Sequence, residues 1–299
     1  MSSVATDIDF AASAPPRRQV GLDIEILECP QGSPEWHAGR AGVITASMYA
    51  EIRRIIGGLT AQQQTYVDAI RAGEGEKDAR DRAGYKAAPK SDSIRRAIEG
   101  ERIGDYSNAA KDYAFRLAIE RICGEPLQDE RYETYAMRRG HEQEPDARSL
   151  HAINTGYRIK QTGLVRTTDG RFGASADGLI LAADNAGKIT TDGGAEYKCF
   201  TSPEKLRRIL IDGDIEPELD QIYGGMWLTG YRWWQFCLYS ENLVPAEREL
   251  TIITVERDDA YVERLEADLV VFDRYVEATK ALILERRGQI YIPSPASKT

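Results

Sequence analysis

The chain has 299 residues, 39 of them Lys or Arg against 48 Asp or Glu, giving a net charge of −9. That length fits one large domain or two small ones, and the acidic balance argues against a surface that coats nucleic acid nonspecifically. It leaves room for a metal site built from carboxylates. No apolar run is long enough to span a membrane and the N-terminus lacks a signal-peptide pattern, so a soluble, cytoplasmic protein is expected. Cys29, Cys123, Cys199 and Cys237 form no Cys-x-x-Cys pair, and His37, His141 and His151 form no His-Glu-x-x-His motif. Neither zinc nor a disulfide scaffold is suggested, and the histidines read as structural or surface groups.

Residues 1–20 are rich in Ala, Ser and Pro without periodicity and read as a disordered tail. A single domain is expected over 21–290, with a C-terminal tail at 291–299. Ile24-Glu25-Ile26-Leu27 suggests a short strand, and Ser33-Pro34 has the N-cap and first-turn proline of a helix ending near Gly39. Arg40 to Ser47 is expected to open a helix through Ile56. Its N-terminus, with Thr45, Ser47 and Arg40 nearby, could form a phosphate pocket; equally, Thr45 or Ser47 could be a plain N-cap. Residues 57 to about 105 read as an inserted helical arm, with a Thr60-x-x-Gln63 capping box. Ser107 to Cys123 reads as an amphipathic helix burying Tyr113, Leu117 and Ile122.

Glu133 to about Ile153 is a further helical segment, which Pro145 should break or kink. Gly140 and Glu144 share a face, so the glycine could leave room beside the carboxylate; alternatively, Glu144 pairs with Arg148 one turn on. Phe172 to Cys199 is the central stretch. Two strands joined by a turn at Asp184-Asn185-Ala186-Gly187 would place Asp177 beside Glu196. Glu196 and Lys198 then share a face, about 7 Å apart, while Tyr197 points away and keeps its carbonyl available. Such hard oxygen ligands suit Mg²⁺ or Mn²⁺, and a neighbouring lysine can orient or deprotonate an attacking water. The plain alternative is a surface hairpin with a cross-strand ion pair.

Ser202 to Leu210 and Pro217 to Leu228, which carries Gln221, read as helices. Arg232 to Tyr239 and Glu249 to Val255 read as strands completing a mixed sheet, with Trp233, Trp234 and Phe236 over both faces as core. A long helix from Asp258 repeats Leu265, Leu269, Phe272 and Val276 at helical spacing. The pairs Arg53-Arg54, Arg138-Arg139 and Arg207-Arg208 could supply a basic track or simply be solvated faces.

Five motifs stand in order: Trp36-His37 with Arg40-x-Gly42-Val43-Ile44-Thr45-Ala46-Ser47; Gly140-x-x-x-Glu144; Ser175-Ala176-Asp177-Gly178; Glu196-x-Lys198-Cys199; and Gln221 before Met226-Trp227. Together they resemble the phage lambda exonuclease family, the YqaJ-type viral recombinases of the PD-(D/E)xK nuclease superfamily. The resemblance covers roughly Ser33 to Ile56 and Tyr135 to Leu265. It implies an α/β (α+β) fold with a restriction-endonuclease-like core, a central mixed β-sheet flanked by helices, here with a helical insertion. It implies that Asp177, Glu196 and the Tyr197 carbonyl hold one Mg²⁺ and that Glu144 and Asp177 help hold a second. Lys198 would activate or orient water, and Arg40, Thr45, Ser47, Ser175 and Gln221 would bind the 5′-phosphate. The implied activity is 5′ to 3′ digestion of one strand at double-stranded DNA ends, by a ring-shaped homo-oligomer, often a trimer, working with a single-strand annealing protein.

Three positions depart from the family pattern, none of them a ligand: Ala176 and Phe200 stand where proline is usual, and Tyr223 where a second glutamine is frequent. Two other functions compete. A related iron–sulfur nuclease would need three cysteines clustered near the C-terminus, which this chain lacks. A catalytically silent DNA-end-binding protein would have no need of Glu144, Asp177, Glu196 and Lys198 together.

Overall fold

The computed structural model describes residues 22–127, 135–183 and 189–285. The expected tails at 1–20 and 291–299, the turn at 184–187 and Glu133 fall outside these. The chain begins with β1 (Ile24–Leu27), α1 (Pro34–Arg40) and β2 (Ile44–Thr45), and a 3₁₀ turn at Ala46–Met48 leads to α2 (Tyr49–Arg53) and β3 (Ile55–Ile56). Next come α3 (Ala61–Arg71), α4 (Glu76–Arg82), α5 (Asp92–Ile98), β4 (Asp105–Tyr106), α6 (Asn108–Cys123) and α7 (Tyr135–Thr155). Strands β5 (Arg158–Lys160), β6 (Leu164–Thr167), β7 (Phe172–Ala174), β8 (Gly178–Ala183) and β9 (Ile189–Lys198) follow. The remainder is α8 (Pro203–Leu210), α9 (Glu216–Thr229), β10 (Trp233–Tyr239), β11 (Leu250–Glu256) and α10 (Asp259–Glu285).

The larger sheet has the order β11-β10-β9-β8-β5, and a second sheet has the order β1-β6-β7-β2. Within the larger sheet, β9 and β10 are parallel and the other pairs antiparallel. The sheet is therefore mixed, and α8 and α9 supply the crossover that a parallel pair requires. Alternation along β10 sends Trp234, Phe236 and Leu238 into the main core with α9 and α10. Cys237 faces the other way, packing with Ile180, Ala195, Tyr197 and Ala147 of α7. Gly193 and Gly194 lie opposite Trp233 and Trp234. A Cβ on either would come within 2.4 or 2.5 Å of an indole, so only glycine lets the rings lie over the β9 backbone.

The last helix follows its apolar spacing: Leu265, Leu269, Phe272 and Val276 are all fully buried. On α6 the expectation holds for Leu117 but not for Ile122, which is 41% exposed. Five residues separate the two, which rotates Ile122 away from the face formed by Ala110, Ala114, Leu117 and Ala118. The helix expected through Ile56 is cut to a 3₁₀ turn and the five residues of α2, because Ile44-Thr45 pairs with β7. Pro145 does not break α7, which runs through it to Thr155. The lost N–H bond is offset by packing of this helix on the sheet through Ala147 and His151.

Residues 57–105 hold three helices around a small core of their own, Tyr66, Val67, Ala69, Ala79, Ile94 and Ala97. The capping box forms in full: Gln63 N–H donates to Thr60 Oγ1 at 3.2 Å and Thr60 N–H to Gln63 Oε1 at 2.9 Å. Among the described residues no helix is long and apolar enough to cross a membrane.

Candidate active site

Antiparallel pairing of β8 with β9 sets Gly178 opposite Ala195, so the residue before β8, Asp177, falls beside Glu196. The Tyr197 N–H donates to Asp177 Oδ2 at 2.8 Å. Strand alternation then separates the side chains. Lys198 Nζ lies 2.8 Å from Glu196 Oε1, whereas the Tyr197 ring packs on the opposite face. Helix α9 adds Gln221, which donates Nε2–H to Glu196 Oε1 at 2.5 Å and accepts from Lys198 Nζ at 3.0 Å. From α7, Glu144 forms an ion pair with Arg148, and Arg148 Nε donates to the Asp177 carbonyl at 3.2 Å. The i+4 pair weighed from sequence is therefore present, but it stands at the edge of the carboxylate set.

Burial and the Glu144 charge push Asp177 up to about 7. Burial and Asp177 push Glu196 up to about 8. Burial also raises Glu144, against the pull of Arg148 and with a further push from Glu196. Burial opposes the charge on Lys198, but Glu196 and Asp177 outweigh it and hold the ammonium protonated. Buried Glu196 and half-buried Asp177 and Glu144, in one another's field, are the hard-oxygen donor set that a divalent cation would compensate. As placed, these groups turn to Arg148, Tyr197 N–H, Lys198 and Gln221. Among the described residues, no three acidic, His or Cys side chains stand grouped to hold an ion. The donor chemistry fits a cation, and the side chains are closed in hydrogen bonds and ion pairs. A Cβ added at Gly140 would meet nothing within 4 Å.

The second cluster lies around α1 and β2. Arg40 Nη2 donates to Thr45 Oγ1 at 3.2 Å, and Thr45 Oγ1 is 3.4 Å from Ser47 Oγ. Trp36 belongs to the first motif. Its ring lies 4.1 Å beneath the Arg40 guanidinium, and its Nε1–H donates to Ser175 Oγ at 2.9 Å. Thus Arg40, Thr45, Ser47 and Ser175 are joined through the indole, a link signalled by the i, i+4 spacing of Trp36 and Arg40 on α1. Gln221 is placed differently from expectation, on Glu196 and Lys198. Thr45 makes no side-chain cap. Its N–H instead donates to Tyr113 Oη at 3.0 Å, while Gly42 N–H donates to Glu120 Oε2 at 2.9 Å and Arg121 Nε donates to the Gly42 carbonyl at 2.8 Å. Helix α6 thereby clamps the segment extended, with Gly42 at the positive φ of 72° that glycine favours.

Ser175 and Asp177 are two residues apart, which ties the two clusters together. Between them Ala176 is buried and its carbonyl accepts from Gln31 Nε2 at 3.1 Å, a tether where the usual proline is missing. The arginine pairs do not form an unpaired basic track. Arg53 pairs with Asp220 and Asp268, Arg54 with Glu51, Arg139 with Glu241, Arg207 with Asp212 and Arg208 with Glu218. The four cysteines are free thiols.

The family described as the YqaJ-like viral recombinase domain matches residues 35–232. No curated protein matches the chain. Among solved structures, an alkaline exonuclease from Laribacter hongkongensis is similar, with a TM-score of 0.56 and 24% identity over 84% of this chain and 96% of that one. The same enzyme in complex with dAMP gives the same values. A phage-related exonuclease from Haemophilus somnus 129PT has a TM-score of 0.44 and 15% identity, over 79% of this chain and 98% of that one. The first two share the overall mixed α/β fold.

Proposed function

The chain belongs to the YqaJ-like viral recombinase domain family, and on that basis we propose that it is a metal-dependent nuclease acting on double-stranded DNA ends. It digests one strand 5′ to 3′ from 5′-phosphorylated ends and leaves 3′ single-stranded overhangs for an annealing protein. The observation that carries this reading is the meeting of Asp177, Glu196 and Lys198 at the ends of β8 and β9, with Glu144 of α7 in their field and all three carboxyls held above their usual pKa. In this reading the larger sheet with its flanking helices is a PD-(D/E)xK core, and the protein works in the cytoplasm as a ring-shaped trimer.

Asp177, Glu196 and the Tyr197 carbonyl would hold one Mg²⁺ or Mn²⁺, and Glu144 with Asp177 a second. A bound divalent ion stabilises negative charge developing on phosphate oxygens. Lys198, beside Glu196, orients or activates the attacking water. Gln221 bonds both Lys198 and Glu196, so it positions the lysine. Arg40, Thr45, Ser47 and Ser175 bind the terminal phosphate: the guanidinium supplies charge and the hydroxyls supply donors. Ser175 and Asp177, on one short turn, set the distance between the anchored end and the reacting centre.

The closed ion pairs of Glu144 and Glu196 favour one alternative, a silent DNA-end-binding protein whose carboxylates never take up an ion. Digestion of linear duplex labelled at each end in turn, with Mg²⁺, separates the two. Release of mononucleotides from 5′-phosphorylated ends, with closed circles untouched, is the expected result, and Arg40→Ala should erase the preference over 5′-hydroxyl ends. Nicking of circles or release from 3′ ends would overturn the substrate assignment. Binding without cleavage in either metal would favour the silent protein.

A further inference from the structure

Behind the carboxylate set, on the opposite face of β9, the Tyr197 hydroxyl ends in a closed polar network. Fully buried His151 of α7 places Nδ1 2.8 Å from Tyr197 Oη and Nε2 2.7 Å from Gln235 Oε1 of β10. Gln235 in turn donates Nε2–H to Thr254 Oγ1 of β11 at 3.3 Å. With the amide oxygen placed toward the imidazole, the ring tautomer that satisfies both partners carries its proton on His151 Nε2 and accepts from the Tyr197 hydroxyl at Nδ1. The Cys237 thiol lies 3.5 Å from the same Nδ1. One helix and three adjacent strands are joined by this network.

Glu144, Arg148 and His151 follow the i, i+4, i+7 spacing of one helical face. Arg148 Nε reaches the Asp177 carbonyl, and its guanidinium lies 5.8 Å from the centre of the Tyr197 ring. The Tyr197 N–H holds Asp177 Oδ2. A rotation of α7 or a slip of β9 that broke the His151–Tyr197 bond would therefore displace Glu144, Asp177 and Glu196 together. Apolar side chains would fill this layer without the desolvation cost of an imidazole, an amide and a phenol. With every member bonded, the polar network specifies one arrangement.

We propose that His151 is a positioning residue for the carboxylate set: acting through Tyr197, it fixes β9 and the rotation of α7, and so sets the affinity of the set for a divalent cation. The proposal rests on the reading above for the identity of the ligand.

The test is Mn²⁺ binding to the DNA-free full chain, followed by the paramagnetic signal of the free ion, with melting curves alongside. Tyr197→Phe removes one oxygen and leaves the backbone donor and carbonyl in place. It and His151→Leu should each weaken Mn²⁺ binding about 10- to 100-fold. The double variant should be no weaker than the worse single one, because both break the same bond. His151→Gln, which keeps an acceptor and a donor, should recover part of the loss. Unchanged Mn²⁺ affinity in Tyr197→Phe, with or without a lower Tm, would overturn the proposal. Absence of Mn²⁺ uptake by the unsubstituted chain would overturn it together with the cation assignment. Uptake with the expected losses but no cleavage would support His151 and sink the nuclease reading alone.

Discussion

The carboxylate set and the helical arm handle charge in opposite ways. In the arm, Arg95 pairs with Asp92 at 2.6 Å and Glu99 at 2.9 Å, and Arg96 with Glu101 at 2.6 Å, all in solvent. Pairs of that kind are screened and contribute little. In the set, Glu144, Asp177 and Glu196 raise one another's pKa in a partly buried site. An arm built this way needs nothing but its own fold. The set holds like charges where burial penalises them, an arrangement that folding alone does not call for and that chemistry at a phosphate does.

The largest effect that would sharpen this contrast is at Lys198. Lys198→Ala should lower the cleavage rate about 10²- to 10⁴-fold, while duplex binding in Ca²⁺ persists; Arg95→Ala in the arm should leave both unchanged. Retained cleavage in Lys198→Ala would remove the lysine from the chemistry. The next effect is on stability. A carboxylic acid whose pKa is higher folded than unfolded binds more protons in the native chain, so it favours folding below its folded pKa and works against folding as pH rises. For Asp177 and Glu196 that window runs from about 4, the unfolded range, to about 7 and about 8. In EDTA, the chain should therefore lose stability as pH rises from about 4 to about 8, on the order of a few kcal/mol, and Mg²⁺ should restore most of it at the upper end. Asp177→Asn should flatten the curve. A Tm independent of pH, or equal Mg²⁺ stabilisation at both ends, would show that the carboxylates are not in conflict.

What was legible in the sequence was local. Asp177 beside Glu196, and Lys198 on the face of Glu196, follow from two strand patterns joined by a turn; the Thr60 cap follows from Gln63 three residues on and the Ser33 cap from Pro34 beside it. What was illegible depended on distant partners. Gln221 meets Glu196 across 25 residues, and His151, read only as structural or surface, meets Tyr197 and Gln235 across 46 and 84. The extended Gly42–Thr45 segment carries the local pattern of a helix start, and the restraints that keep it extended, Tyr113, Glu120 and Arg121, belong to α6. Pro145 misled in the same way, since a local rule about a missing N–H was outweighed by packing on the sheet.

The smallest expected effect on activity comes from the arm itself. Ile94 is 2% exposed in the arm's core with Tyr66 and Val67, and Ile94→Ala should cost about 2–5 kcal/mol of local stability there. The arm's core is separate from the main one. The loss should therefore appear as faster hydrogen exchange and proteolysis over residues 61–98, while cleavage rate and 5′-phosphate preference stay as they were. If cleavage fell in step with the arm's protection, the arm would be part of the end-binding apparatus, and the division between a region that merely folds and a region that works would fail. If protection were lost across the sheet as well, the two cores would form one cooperative unit, and the arm would act on the site through stability alone.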